Sequence, residues 1–289
     1  MITIGIPTYN EEKVIEATIN SVLSQISIDD EVIVVASGCT DNTVPLIQAV
    51  ADKDNRVRLI TEDERKGKAS ALNLIIQNAK SDIIVQTDGD VVIEENAVIQ
   101  LVKHFKNPEI GGVSGRPIPV IPKENLFYDW TIMSYRKIGE VREIATKKGS
   151  FWHLSGYLLA FRKKALPNVP FAKGAVDAWM GRIIQQNGYK MVYEPNARVL
   201  VKAPLTIKDF VAQKARVRAG YCLIPKGPRT VRGEIVWLPR EFSRIPLQRW
   251  PKFIISGVVY LYSWLKGWYM ARTNKSLQYI WKPPESTKQ

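Results

Sequence analysis

The first hundred residues alternate between short β-branched runs and segments with helical spacing, and this alternation constrains the fold more than any other feature. The run EVIVVAS at 31–37 shows no polar alternation, which is typical of a parallel strand buried on both faces. Strand–helix alternation predicts a Rossmann-like, mostly parallel α/β sheet with right-handed crossovers and helices on both faces. The predicted strands are 2–6, 31–37, 57–61 and 82–88, and the predicted helices are 11–25 and 68–79.

Polar or glycine residues follow the predicted strands where the chain leaves the sheet. Because parallel sheets bind ligands beyond the carboxyl ends of their strands, we expect these segments to converge on one cleft. The four segments are Thr8-Tyr9-Asn10, Ser37-Gly38, Lys66-Gly67-Lys68 and Asp88-Gly89-Asp90.

The same α/β domain is predicted to continue to residue 201. No internal repeat or low-complexity linker interrupts it. We therefore predict an α/β domain over 1–201 and a distinct C-terminal region over 202–289. Its further strands are predicted at 112–120, 158–163, 189–195 and 198–202, with a helix over 177–187.

Net charge separates these two parts. The chain carries 41 basic and 28 acidic side chains, which gives a formal charge of +13. Residues 1–201 carry 24 of each sign, so the whole excess falls on 202–289. A neutral body with one basic end is typical of a protein held against a polyanionic surface. Hydrophobic residues make up 45% of the chain, which excludes wholesale disorder.

The C-terminal region contains an apolar segment. Residues 253–271 carry one lysine, which is borderline for a spanning helix of about 20 residues. Its small and polar residues share one helical face, which favours a helix lying in the membrane interface. They are Ser256, Tyr260, Ser263 and Gly267. Tryptophans beside basic residues support that position, and they are Trp250, Trp264, Trp268 and Trp281. We predict an amphipathic or membrane-inserting helix near 250–271, with a buried packing helix as the alternative. Segment 124–149 is predicted to be a second amphipathic helix near the membrane or a plain surface helix.

Two features bear on the cell compartment. Cys39 and Cys222 are too few for a disulfide framework, so a reducing compartment is expected. The first strand begins at Ile2, which leaves no room for a signal peptide, and we expect no secretion by that route.

Asp88 and Asp90 flank a single glycine directly after a predicted strand. Two carboxylates so placed can hold Mg²⁺ or Mn²⁺, which prefer oxygen ligands and share their coordination with substrate phosphates. Gly89 lets the chain turn and approach a ligand closely. A solvated turn would explain this pattern equally well if it stood alone.

Four motifs resemble, in order and spacing, those of the family-2 glycosyltransferases, which are inverting nucleotide-sugar enzymes with the GT-A fold. The resemblance covers about residues 1–201 and implies a nucleotide-sugar donor and a divalent metal ion, Mg²⁺ or Mn²⁺. The motifs are PTYNEE (7–12), ASGCTDNT (36–43), RKGKASALN (65–73) and QTDGD (86–90).

The resemblance implies a donor site along these motifs. The ring of Tyr9 is expected to pack against a nucleobase, while a turn with a helix cap from Thr8 or Asn10 is an alternative role for the first motif. Ala36 and Ser37 stand where the family has two aspartates, so the identity of the donor's nucleobase stays open. The expected donor-binding residues are Pro7, Thr8, Tyr9, Asn10, Glu11, Ser37, Lys68, Asp88 and Gly89. Lys68 is expected to meet the diphosphate. Asp90 is the first expected metal ligand, and Asp88 is expected to reach the metal through water or to bind the ribose.

Segment 173–195 resembles the family's acidic motif and implies that Asp177 is the general base, with Val176 in place of the usual glutamate. Capping of the helix 178–187 is the alternative role of Asp177. Ser155 and Gly156 resemble the acceptor-side loop. Trp152, His153 and Trp179 are candidates to shape the acceptor site.

Gln213 and Arg216 match the Q-x-x-R-W signature of processive members such as cellulose and hyaluronan synthases. Val217 replaces the tryptophan, which weakens the case for polymerisation. The match implies that both residues lie near the diphosphate and the acceptor. The alternative is that they belong to a basic helix that contacts lipid headgroups.

Together these expectations predict an inverting, metal-dependent glycosyltransferase at the cytoplasmic face of the membrane. Its acceptor is expected to be a lipid or a glycan that is lipid-linked or membrane-proximal. A polyprenyl-phosphate glycosyl synthase is the nearer alternative, and its anionic nucleophile needs no base. A nucleic-acid-binding protein would also explain the basic C-terminal region. However, the sequence contains no identifiable recognition motif, and we expect no nucleic acid as a partner. Ala36 and Ser37 also suggest a non-catalytic scaffold.

Overall fold

The computed structural model describes residues 1–171, 175–224 and 241–273. Several features predicted from the sequence lie outside the described residues. They are Lys173 and Gly174 of the acidic motif, Trp281, and the parts of the basic region at 225–240 and 274–289.

One sheet of eight strands forms the centre of the described structure, in the order β3-β2-β1-β4-β7-β6-β8-β5. Its strands are β1 (Thr3–Thr8), β2 (Glu31–Ser37), β3 (Val57–Glu62), β4 (Ile83–Thr87), β5 (Val91–Ile93), β6 (Ile110–Val120), β7 (Leu158–Arg162) and β8 (Lys190–Lys202). The strands β3, β2, β1 and β4 are parallel, as are β6 and β8. The strands β7 and β5 pair antiparallel with their neighbours. The prediction of a mostly parallel α/β sheet is confirmed.

Helices cover both faces of this sheet. The helices are α1 (Ile15–Leu23), α2 (Thr43–Ala51), α3 (Lys68–Asn78), α4 (Ala97–Val102), α5 (Tyr128–Lys147), α6 (Val176–Gln186), α7 (Ile207–Cys222) and α8 (Trp250–Thr273). Alternate residues of β2 enter opposite cores: Val32 and Val34 pack with α1, while Ile33 and Val35 pack with α3. The unbroken apolar run of β2 therefore marks a strand buried on both sides, as predicted.

The structure differs from the sequence prediction at several element boundaries. The strands predicted at 189–195 and 198–202 form one strand, β8, whose register against β6 shifts around Pro195. Proline cannot donate to a strand ladder and is tolerated at such a bulge. The three-residue strand β5 carries too short a pattern to be predicted. The helix predicted over 11–25 begins only at Ile15, and no side chain caps it.

The helices α5, α7 and α8 form a third layer with its own apolar core. That core includes Phe127, Trp130, Phe210 and Phe253, and the rings of Phe127 and Phe210 stack with centroids 4.0 Å apart. The segment predicted as an amphipathic or surface helix at 124–149 is thus α5, and one side of it is buried. Parts of the chain before and after residue 201 share this core.

The small and polar stripe of α8 packs against α5 and α7, as the alternative of a buried packing helix predicted for this side. Ser256 and Ser263 are fully buried. A Cβ atom added at Gly257 would lie 2.9 Å from the ring of Trp130. Gly267 lies against the backbone of Ala215 in α7. Small side chains are needed here because they let the helices approach closely, and spacing alone did not show which side the stripe would face.

The opposite side of α8 is apolar and exposed. The exposed side chains are Ile254, Ile255, Val258, Leu261, Tyr262, Leu265, Trp268 and Tyr269. None of the helices in the described residues combines the length and the apolarity needed to cross a membrane.

Candidate active site

The four strand-end motifs meet at one edge of the sheet, as predicted. The carboxyl ends of β2, β1 and β4 are neighbours because these three strands are adjacent and parallel. Hydrogen bonds then join the loops that follow them. The side chain of Asn10 binds the backbone N–H and the hydroxyl of Thr40, at 2.8 and 3.0 Å. The Ser37 hydroxyl accepts the N–H of Lys66 at 3.2 Å.

The first motif contributes mainly to holding these loops in place. Asn10 has a φ of 53°, and its amide is engaged with Thr40. Glu11 is buried, and its N–H donates to the Thr43 hydroxyl at 2.8 Å. The alternative role predicted for Thr8 and Asn10 as helix caps is wrong, since α1 has no side-chain cap. Pro7 lies within β1.

Tyr9 lies at the mouth of this cleft with Arg65 stacked on its ring. The guanidinium carbon is 3.6 Å from the ring centroid. A nucleobase that packs against Tyr9 must therefore use the other ring face or displace Arg65. Ser37, which replaces an aspartate of the family pattern, is buried, and its oxygen already binds the loop that carries Arg65.

Lys68 and Asp88 form an ion pair in the floor of the cleft. Lys68 is the first residue of α3, directly after Gly67, whose φ of 90° is unfavourable for other residues. The Lys68 ammonium also donates to the Gly156 carbonyl at 3.3 Å. Burial raises the pKa of Asp88, and the ammonium of Lys68 opposes that shift.

Asp88 and Asp90 offer the oxygen donors that a hard divalent cation prefers. In the part of the chain that the structure describes, no group of three or more His, Cys, Asp or Glu side chains is arranged to hold a metal ion. Mg²⁺ is commonly bound by one or two carboxylates together with substrate phosphates, so a pair of aspartates fits this donor set. The buried hydroxyl of Thr8 has no hydrogen-bond partner among the described residues, and a Cβ atom at Gly89 would lie 2.7 Å from it. Gly89 thus lets the chain pass directly against an unsatisfied polar group, where a larger residue would not fit.

Asp177 lies across the cleft from Asp88. It is the second residue of α6, so it does not occupy the capping position, which Ala175 holds. Its Oδ2 accepts the N–H of Gly156 at 3.2 Å, and its side chain is 25% exposed. Gly156 therefore contacts Asp177 through its N–H and Lys68 through its carbonyl. Ser155 is buried, and its N–H donates to the Ser114 hydroxyl, which fixes the loop that presents Gly156.

The helix α7 carries the two residues of the predicted Q-x-x-R-W match. Gln213 is buried. Burial lowers the pKa of Arg216, and nearby Tyr157 opposes that shift. The neighbouring Tyr135 of α5, which is hydrogen-bonded to Tyr157, raises the pKa of Tyr157 well above its usual value, and burial and nearby Asp90 add to the shift. Arg216 therefore lies on the side of the cleft where Asp90 lies.

Sequence reasoning missed four side chains around this cleft. Two of them lie near Asp90 and two contact His153 beside Asp177, and they come from α5, α7 and the loop before β7. A tyrosine or an arginine within an ordinary helical pattern gives no local indication in the sequence that it will lie beside this cleft. The four residues are Tyr135, Arg142, Tyr157 and Tyr221.

The family described as Glycosyl transferase family 2 matches residues 3–169. A curated relative, the poly-beta-1,6-N-acetyl-D-glucosamine synthase of Staphylococcus aureus (strain COL), is 27% identical over 262 residues. The alignment covers 88% of this chain and 60% of that relative, so the chain spans about three fifths of the relative's length.

Solved structures of low sequence identity share the fold. A mannosyltransferase from Pyrobaculum calidifontis, in complex with GDP-Man and Mn²⁺, superposes with a TM-score of 0.70 at 21% identity, covering 95% of this chain and 88% of that one. S. aureus TarS 1–349 in complex with UDP-GlcNAc superposes with a TM-score of 0.53 at 15% identity, covering 96% and 93%. Both likenesses concern the GT-A-like arrangement of sheet and helices.

Proposed function

Because this chain belongs to glycosyl transferase family 2, we propose that it transfers a sugar from a nucleotide-sugar donor to a hydroxyl group of an acceptor, with inversion at the anomeric carbon. The observation that carries the proposal is the place of Gly156. Its two backbone groups contact Lys68 on one side and Asp177 on the other. A cation suited to a diphosphate and a carboxylate suited to a hydroxyl thus contact the backbone of the same residue.

The donor binds along the ends of β1, β2 and β4. Lys68 turns from Asp88 to the diphosphate when the donor enters, since a phosphate at the start of α3 also meets free backbone N–H groups. Asp90 and Asp88 would hold a divalent cation, Mg²⁺ or Mn²⁺, and a bound cation supplies neutralising charge for the leaving nucleoside diphosphate. The relatives' complexes with GDP-Man and UDP-GlcNAc support a nucleotide-sugar donor but leave the base of this chain's donor open.

Asp177 acts as the general base. Its carboxylate takes the proton from the acceptor hydroxyl as the oxygen attacks the anomeric carbon from the face opposite the diphosphate. One carboxylate suffices because a single displacement needs no covalent intermediate. A polyprenyl-phosphate acceptor would already be anionic, and the negative charge of Asp177 would repel it. The contact geometry therefore favours a hydroxyl acceptor.

The acceptor is proposed to be lipid-linked or membrane-proximal, because α8 presents an apolar face. Val258, with 64% of its surface exposed, and Leu261 lie near the middle of that face. The helix also carries Lys252, Lys266 and Arg272 and no acidic residue. An apolar face flanked by cations suits the surface of an anionic membrane. We place the enzyme peripherally on the cytoplasmic face, with 1–201 as its catalytic part and 202–289 as its membrane-binding part.

Nucleotide binding and transfer test the enzymatic proposal. Calorimetry with UDP, GDP and other nucleoside diphosphates, each with Mn²⁺, identifies the base, and release of the matching diphosphate from its sugar donor follows turnover with a membrane lipid extract as acceptor. Asp177→Asn is expected to keep diphosphate affinity within about twofold and to lose about 10²–10⁴-fold in transfer, the usual contribution of a general base. Exposed Asp29→Asn is the matched control. Retained transfer in Asp177→Asn would instead support the phosphate acceptor, and failure of all diphosphates to bind would refute the enzymatic proposal.

Flotation with vesicles tests the membrane proposal. The full chain is expected to float with phosphatidylglycerol vesicles more than with phosphatidylcholine vesicles, and the double variant Val258→Glu with Leu261→Glu is expected to stay unbound. Ile99→Glu removes an equally exposed apolar side chain from α4 and is expected to float normally. Preference for DNA over vesicles at matched salt would refute the membrane proposal.

A further inference from the structure

A chain of three side chains from separate elements, Arg142, His153 and Tyr221, lies beside Asp177, and His153 is its link to the carboxylate. His153, in the loop before β7, places its Nε2 3.9 Å from Oδ2 of Asp177. The same Nε2 is in hydrogen-bond contact with the hydroxyl of Tyr221, near the end of α7. On the other side of the ring, Nη2 of Arg142 from α5 lies 3.4 Å from Nδ1. Arg142 and His153 are 11 residues apart, whereas Tyr221 comes 68 residues after His153.

The partners of His153 determine which of its nitrogens carries the proton. A guanidinium can only donate, so Nδ1 must accept from Arg142, and the single proton of a neutral ring is then on Nε2. The ring stays neutral because burial, reinforced by the charge of Arg142, lowers the pKa of His153 to about 4. The Nε2–H group therefore donates to the Tyr221 hydroxyl, and Nε2 is the ring nitrogen that lies nearer the Asp177 carboxylate, 3.9 Å from Oδ2.

A neutral donor is well suited to a position beside a general base. An imidazolium in contact with Asp177 would stabilise the ionised carboxylate and reduce its affinity for a proton. A neutral imidazole and a phenol can orient the carboxylate without that effect. Burial raises the pKa of Tyr221 well above its usual value, with nearby Asp177 adding to the shift, so this group also stays neutral.

We propose that His153 and Tyr221 are positioning residues for Asp177: the Arg142-His153-Tyr221 chain fixes the direction in which the carboxylate faces the acceptor hydroxyl. This inference rests on the proposed role of Asp177 as the base. Neither residue needs to touch the donor. Their loss should therefore slow the transfer step and leave nucleotide binding unchanged.

Tyr221→Phe is the sharpest test because it removes one oxygen atom. The variant is expected to lower kcat of transfer at least tenfold, while the donor KM and the Kd of the nucleoside diphosphate with Mn²⁺ stay within about twofold, as for loss of an interaction that matters in the transition state. Tyr189→Phe, at a partly buried tyrosine between α6 and β8, is the matched control. Thermal unfolding of both variants checks that the fold is retained.

A double-mutant cycle separates positioning from independent roles. In the Asp177→Asn background, Tyr221→Phe is expected to cause no further loss of kcat, because there is no base left to orient. His153→Gln retains a side-chain N–H donor and is expected to keep more activity than His153→Phe. An unchanged kcat in Tyr221→Phe, or an undiminished effect in the Asp177→Asn background, would refute the positioning role alone. Full activity of Asp177→Asn itself would refute the base assignment and, with it, this inference.

Discussion

Gly267 is the position where α8 lies closest to α7, and a larger residue there should separate the two helices. A Cβ atom at Gly267 would lie 2.8 Å from Cβ of Arg218 and 3.1 Å from the carbonyl carbon of Ala215, and it would meet the Ala215 oxygen more closely still. A backbone carbonyl within a helix cannot rotate away. We therefore expect Gly267→Leu to push α8 outward.

The expected loss of stability follows from two opposing contributions. Overpacking costs about 1–3 kcal/mol, and a leucine in place of glycine lies at the upper end of that range. Replacing a helical glycine regains about 1 kcal/mol of backbone propensity. The net free energy of unfolding should fall by about 2 kcal/mol, which lowers Tm by roughly 4–8 °C in a chain of this size.

The same displacement should reach the active site because α7 carries Arg216 and Tyr221. Transfer should slow, whereas nucleoside diphosphate affinity, which depends on the loops after β1, β2 and β4, should stay within about twofold. Thermal unfolding and calorimetry measure the two effects. Ser263→Ala is the control from the same buried stripe, since the Ser263 hydroxyl donates only within its own helix, to Val259, and it should shift Tm little. If Gly267→Leu were as stable as the wild type, the close packing of α7 and α8 would be wrong.

Three further predictions concern single side chains of the cleft. Lys68→Met should weaken nucleoside diphosphate binding about 10–100-fold in calorimetry, since a charge-assisted hydrogen bond contributes about 1.5–3 kcal/mol; unchanged affinity would show that the diphosphate binds elsewhere. Asp90→Asn should raise the Mn²⁺ concentration for half-maximal turnover at least tenfold, because even substitutions of residues that only support a metal ligand lower metal affinity by about that much. An unaltered Mn²⁺ titration would show that Asp90 is not a metal ligand. His153→Gln should flatten the pH dependence of stability between pH 4 and 6.5. The unfolded chain protonates His153 near pH 6.5 and the folded protein only near about pH 4, so the free energy of unfolding falls as pH drops through this window, by up to about 3 kcal/mol. Denaturant titrations at pH 7 and 5 measure this fall, and equal falls in wild type and variant would contradict it.

The convergence of the strand-end motifs was predictable because its signals are local. Each strand of the first half ends in a short motif, and the order of the strands in the sheet brings these motifs together without further information. The sequence also revealed the departure at Ala36 and Ser37. Only the structure shows that the Ser37 hydroxyl already binds the loop of Arg65, because that contact joins residues 29 positions apart.

The acceptor side was predicted only in part. Asp177 stands in a motif, but Arg142 and Tyr221 reach its neighbour His153 from helices whose apolar periodicity indicates only how they pack. Their places depend on how α5 and α7 stack in the third layer, and no spacing within either helix encodes that.

The stripe of α8 gives a third case. The sequence identified the stripe but did not show what it would face. A row of small residues is compatible either with a solvent-exposed helix face or with close packing against another helix. The partner that decides between them, Ala215 in α7, lies 52 residues earlier in the chain.

The position of Gly156 bears on how such an enzyme can diverge. The family match ends at residue 169, so the strand ends proposed to bind the donor lie inside it, while Asp177 and Tyr221 lie beyond it. The two sides are joined through the backbone of one residue, and backbone N–H and carbonyl groups do not depend on side-chain identity. Substitutions that remodel the acceptor wall therefore need not be matched by substitutions in the donor wall. Acceptor choice can change along a lineage while the activated sugar stays the same.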